Sequence, residues 1–181
     1  MKKMDNIYLI GLMGVGKTTI GKQLAKALQR PFYDSDKVIE ELTGVDIPTI
    51  FSYEGEPGFR AREQEVIQEL CEQSGIVMAT GGGSIIQAEN RAALKNSGFV
   101  VYLHCSIDKI LYRTRHDTQR PLLQTENPRQ RLQMLLEQRE PLYQDCADFK
   151  IDSGSLSGKT VVKTILQHYA AAIENHERIA S

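Results

Sequence analysis

Residues Gly11-Leu12-Met13-Gly14-Val15-Gly16-Lys17-Thr18 fit G-x-x-x-x-G-K-[ST], the phosphate-binding P-loop. Glycines let such a loop curl until several backbone N–H groups point inward as an anion nest. A helix opening behind the loop adds its N-terminal dipole. In this pattern Lys17 reaches the β- and γ-phosphates, and the Thr18 hydroxyl ligates Mg²⁺. A glycine-rich turn that binds nothing is the plainer alternative. The apolar run at 7–10 before the loop and the helical pattern after it favour phosphate. The loop points to a nucleoside triphosphate and leaves the phosphate acceptor open.

Asp34 and Asp36 follow a short apolar stretch, with one residue between them. Phosphoryl transfer needs oxygen ligands for a metal and a group that orients the acceptor hydroxyl, and two adjacent acids can divide those roles. Alone, the pair reads equally as a helix cap and a solvated neighbour. Beside a P-loop the balance shifts to the site. Arg60 and Glu63 are three apart and share a helical face, so Glu63 can hold the guanidinium for a bidentate grip on a carboxylate. Alone, they are an ordinary surface pair, and Arg62 reads as a solvated charge. Gly81-Gly82-Gly83 costs backbone entropy and makes sense where a ligand lies against bare main chain; a loose turn is the alternative. Arg113, Arg115, Arg120 and Arg139 remain. A mobile arginine over the site would stabilise charge on the transferring phosphoryl group, and a lid would exclude water. For Arg120 that role and plain surface basicity stay level; Arg115 suits the surface better. His104, His116, His168 and His176 show no ligand spacing.

The elements that must position these residues alternate. Strands are expected at 7–10, 30–33, 76–79, 99–103 and 148–152. Helices are expected at 18–28, 37–42, 47–51, 56–73, 88–96, 107–115, 128–143 and 158–173, with Pro141 setting a helix end. Continuous apolar strands separated by helices imply a parallel sheet covered on both faces, with ligands beyond the carboxyl ends of the strands. The P-loop, the Asp34/Asp36 pair and the Gly81 triplet all follow strands, so they should converge. The chain has 181 residues and a formal net charge of -1, which suits one compact domain with no global field for nucleic acid or membrane. Three widely spaced cysteines, Cys71, Cys105 and Cys146, lack zinc spacing and suit a reducing cytoplasm. The N-terminal apolar run is too short for a signal peptide or membrane span.

Together the motifs resemble the shikimate kinase family over nearly the whole chain. They are the P-loop through Thr19, Asp34-Ser35-Asp36, Phe59-Arg60-Ala61-Arg62-Glu63, Ala79-Thr80-Gly81-Gly82-Gly83, Arg120-Pro121-Leu122-Leu123 and Arg139-Glu140-Pro141-Leu142-Tyr143. The resemblance implies a three-layer P-loop kinase fold, a five-stranded parallel sheet of order 2-3-1-4-5 and a mobile lid at about 113–125. It implies a single kinase domain over 1–181, with a substrate-binding region at about 34–62. The implied reaction transfers phosphate from ATP to the 3-hydroxyl of shikimate, toward aromatic amino acids. Gly14, Val15, Gly16, Lys17, Thr18, Thr19, Arg113 and Arg120 would bind nucleotide, with Arg113 stacked on adenine. Thr18 and, through water, Asp34 would hold Mg²⁺. Asp36 would bind the acceptor hydroxyls as candidate base. Arg60 and Arg139 would hold the carboxylate beside Gly81, Gly82 and Gly83, with Glu63 orienting Arg60. Lys17, Asp36 and Arg120 would form the catalytic set in a cytoplasmic monomer. Another small-molecule P-loop kinase, such as gluconate kinase, and a non-catalytic nucleotide-binding module are the alternatives. The adenine wall at 152–158 shows no motif.

Overall fold

The expected strands pair into one parallel sheet. The computed structural model describes residues 4–115 and 125–180, the last two by backbone alone. β1 (Asn6–Ile10), β2 (Phe32–Asp34), β3 (Val77–Ala79), β4 (Gly98–His104) and β5 (Phe149–Asp152) stand in the order β2-β3-β1-β4-β5. Leu9 is level with Ala79 on one side and Val101 on the other, and Asp34 is level with Ala79. All the carboxyl ends therefore share one edge, where ligands bind in sheets of this kind.

Every residue of β1 is buried, as is all of β4 except His104. Strands buried on both faces need helices on both. α1 (Lys17–Leu28) packs against α7 (Gly158–Ala180), and both touch the sheet. A second layer runs from α3 (Ile47–Glu72) to α4 (Ala88–Ser97), α6 (Pro128–Cys146) and α5 (Ile107–Thr114). α2 (Ser35–Thr43) rests on α3. This is the P-loop kinase fold expected from the sequence.

The differences have physical causes. α2 begins at Ser35 rather than residue 37, because Asp34 is the N-cap and its Oδ1 accepts the Asp36 N–H at 3.2 Å. Asp36 therefore sits in the first helical turn. The two helices expected at 47–51 and 56–73 abut as one element broken at Gly55, whose φ of 68° and ψ of -175° are not helical. Glycine tolerates that geometry, and Pro57 then falls in the first turn of the second segment. Pro141 does not end its helix. α6 runs through it to Cys146, because Tyr143 and Cys146 beyond it are fully buried and their packing outweighs one missing N–H. A short 3₁₀ turn, Ser84–Ile86, follows the glycine triplet. Arg120, and most of the lid expected at 113–125, lie outside the described residues.

Candidate active site

The phosphate cradle is the β1–α1 loop. Gly14 (φ 77°) and Gly16 (φ 103°) take left-handed conformations open mainly to glycine, and Gly16 is the N-cap of α1. No acidic residue occupies the first turn of α1, so its dipole faces the loop unopposed. Lys17 is buried and donates from Nζ to the carbonyls of Gly11 (2.7 Å) and Leu12 (2.8 Å), which folds its ammonium over the loop. Thr18 and Thr19 stand exposed in the first turn of α1. Val15 is buried beneath the loop.

Thr18 and Asp34 meet at the cradle's rim, where Thr18 Oγ1 donates to Asp34 Oδ2 at 2.7 Å. Two neighbouring hard oxygens fit Mg²⁺, which takes one or two protein ligands and fills its octahedron with water and phosphate oxygens. Their distance apart in sequence, strand to helix, is closed by the parallel sheet.

Asp36, Arg60, Glu63, Arg139 and the glycine triplet converge beside the cradle. Glu63 is fully buried, and its Oε2 accepts from Arg60 Nη1 at 2.6 Å, the orientation read from the i,i+3 spacing. Its Oε1 and Asp36 Oδ1 are buried with no hydrogen-bond partner among the described residues. Both face Gly81, where a Cβ would stand 2.6 Å from Asp36 Oδ1 and 2.9 Å from Glu63 Oε1. Gly83 lies under the Arg60 guanidinium, and a Cβ there would meet Nη2 at 2.4 Å. Gly82 backs the P-loop, with a Cβ position 3.3 Å from the Met13 nitrogen. The triplet is bare because two carboxylates, a guanidinium and the phosphate loop all press on it. Arg139 is buried and donates from Nη1 to the Gly82 carbonyl at 3.1 Å.

Burial and the Asp34 charge push the Asp36 carboxyl up to about 6, against the pull of Lys17 and Arg60. Burial pushes Glu63 up to about 7, and the Arg60 guanidinium opposes it. A carboxylate near neutrality beside a phosphate cradle suits proton acceptance from a hydroxyl.

Several groups escaped the sequence reading. Ser35 is fully buried and its Oγ accepts the Gly81 N–H at 3.1 Å, so that N–H is committed to the protein and is not an open anion donor. The Tyr143 hydroxyl donates to the Gly82 carbonyl beside Arg139. Arg113 bridges the P-loop and the β5–α7 loop, from Nη1 to Val15 O at 3.0 Å and from Nη2 to Ser153 O at 2.8 Å. Ser153 Oγ also donates to Val15 O at 2.6 Å. Ser153 thus joins the nucleotide side across 138 residues of sequence, which no local spacing signals. Arg62 is not merely solvated: it pairs bidentately with Glu54 at 2.7 and 2.8 Å across the Gly55 break. Arg115 lies over the Tyr112 ring at 3.9 Å.

A family model described as shikimate kinase matches residues 13–170. A shikimate kinase of Methylococcus capsulatus is 55% identical over 169 residues, covering 93% of this chain and 94% of that protein. One of Thioalkalivibrio sulfidiphilus is 54% identical, covering 93% of this chain and 89% of that protein. The solved structure of the Acinetobacter baumannii shikimate kinase in complex with shikimate superposes with a TM-score of 0.90 at 48% identity, covering 94% of this chain and 96% of that one. A P-loop open toward two unpartnered carboxyl oxygens, two arginines and a glycine floor, together with identity of this extent, carries one conclusion: the chain belongs to the shikimate kinase family.

Proposed function

We propose that the cleft on the carboxyl edge of the sheet is where this shikimate kinase transfers the γ-phosphoryl group of ATP to the 3-hydroxyl of shikimate. The observation that carries the assignment is the pair of unpartnered carboxyl oxygens, Asp36 Oδ1 and Glu63 Oε1, facing Gly81 between the P-loop, half-buried Arg60 and buried Arg139. A site that only held nucleotide would have no use for orphaned acids and a pair of arginines beyond the phosphates.

The roles follow from chemistry. Gly14, Val15 and Gly16 cradle the phosphates, with Lys17 and the α1 terminus supplying positive charge. Thr18 and Asp34 would hold Mg²⁺, which when bound would neutralise charge on the phosphates. Thr19 and Arg113 lie on the nucleotide side, and Arg113 fixes the Ser153 loop that forms its wall. Arg60 and Arg139 take the shikimate carboxylate, which places a ring hydroxyl on Asp36. That hydroxyl oxygen forms a bond to the γ-phosphorus as the bond to the ADP oxygen breaks, and its proton passes to Asp36. Positioning and charge stabilisation supply most of the acceleration in such transfers. Arg120, outside the described residues, completes the reading from the sequence as a lid group on the transferring phosphate.

In this proposal the chain is one kinase domain, with a nucleotide core, a substrate region at about 34–62 and a lid at about 113–125, and it acts as a cytoplasmic monomer. Three buried free cysteines suit a reducing compartment. Among the described residues no helix is long and apolar enough to cross a membrane. ADP release measured with shikimate and with gluconate tests the acceptor. Shikimate-dependent release is expected, and equal or preferred use of gluconate would overturn the assignment.

A further inference from the structure

Arg60 has more acid around it than a carboxylate clamp needs. Its Nη1 goes to buried Glu63 at 2.6 Å. Its Nε and Nη2 both go to Glu56 Oε1, at 3.3 and 3.2 Å. One planar face of the guanidinium rests on Gly83, and the Phe59 ring centroid lies 5.3 Å from its central carbon. The Nε/Nη2 edge is the paired-donor edge a carboxylate seeks for a bidentate grip. Glu56 holds that edge, and it does so from solvent: its side chain is 62% exposed where that of Arg60 is 15% exposed. The Gly55 break puts it there. Gly55 ends the first helical segment of α3, so Glu56 opens the second and lies one turn before Arg60. Glu54, on the other side of the break, is occupied with Arg62.

We infer that Glu56 is a stand-in for the substrate carboxylate, holding the Nε/Nη2 edge of Arg60 until a carboxylate-bearing acceptor arrives and then swinging into solvent. The inference rests on the reading of Arg60 as the carboxylate clamp. Two carboxylates cannot share one edge of a guanidinium, so binding includes breaking the Glu56 contact. An exposed ion pair is weak, so the stand-in keeps Arg60 aimed and lowers apparent affinity by only about two- to fivefold. It also sets a threshold: an uncharged acceptor, unable to replace the lost ion pair, is disfavoured.

Steady-state kinetics on Glu56→Gln, Arg60→Met and the double variant test this. Glu56→Gln should lower the KM for shikimate by about two- to fivefold while the KM for ATP stays put. Arg60→Met should raise the KM for shikimate, and in that background Glu56→Gln should no longer lower it. If Arg60→Met raises KM but Glu56→Gln leaves it unchanged or raises it, Glu56 is a support for Arg60 and the stand-in is overturned. If the Glu56→Gln gain persists without Arg60, it is general repulsion of an anion, and the stand-in is again overturned. If Arg60→Met leaves the KM for shikimate unmoved, the carboxylate clamp itself fails.

Discussion

Asp36 and Glu63 come from different helices yet turn one buried, unpartnered carboxyl oxygen each toward the bare Cα of Gly81. Burial raises both carboxyls, helped by the Asp34 charge at Asp36 and by the Asp36 charge at Glu63. Buried acceptors without donors are costly, and the arrangement makes sense where a polyol supplies those donors.

Asp36→Asn keeps the shape of the site and removes its proton acceptor. The kcat should fall by about 10²-fold or more, with the KM for ATP nearly unchanged. Steady-state kinetics with both substrates varied would show this. An unchanged kcat would remove Asp36 from the chemistry.

Gly81→Ala puts a methyl group 2.6 Å from Asp36 Oδ1 and 2.9 Å from Glu63 Oε1, closer than atoms pack. One carboxyl must move, so kcat/KM for shikimate should drop at least about tenfold. Nucleotide binding, measured by calorimetry, should survive, because the P-loop contacts Gly82 rather than Gly81. Wild-type turnover by the alanine variant would mean the floor is not part of the site.

The proposed roles put Arg139 and Arg113 on opposite sides of the transfer. Arg139→Ala removes a buried partner for the carboxylate and should raise the KM for shikimate by about tenfold or more, leaving that for ATP close to wild type. Arg113→Ala removes one of the two links between the Ser153 loop and the P-loop and should raise the KM for ATP instead. Crossed values for the two variants would reverse the assignment of the two sides.

Glu63 makes a signed pH prediction. Its pKa rises from 4.5 in the unfolded chain to about 7 in the fold, chiefly through burial. Across that window the folded protein holds a proton that the unfolded chain has lost, so the contribution of Glu63 to stability falls as pH rises. Glutamine cannot titrate. The unfolding free energy of Glu63→Gln relative to wild type should therefore shift in favour of the variant by up to about 3 kcal/mol from the bottom to the top of the window. Urea melts of both proteins at several pH values would measure it, and a difference independent of pH would contradict the burial of Glu63 as a strained acid.

Much of this was readable in the chain because it is local. The P-loop, the acid pair and the Arg60–Glu63 spacing each span a few residues, and their meaning depends on adjacent letters. The strand order came from the family resemblance, since apolar runs say which segments pair in a sheet but not their sequence within it. The unread contacts are those that only folding creates. Ser35 meets Gly81 across 46 residues, and Ser153 meets Val15 across 138. Glu54 reaches Arg62 because Gly55 breaks the helix, a turn whose angle no periodicity encodes. Pro141 misled because proline usually stops a helix; here buried Tyr143 carries the helix onward and places a hydroxyl on the glycine floor.

A crystal structure of the protein with shikimate and Mg²⁺–ADP measures the central relationship directly. The expected result is the shikimate carboxylate between Arg60 and Arg139, with a ring hydroxyl on Asp36 over Gly81 and facing the P-loop. Shikimate bound with its carboxylate away from both arginines, or with no hydroxyl within hydrogen-bonding distance of Asp36, would contradict it.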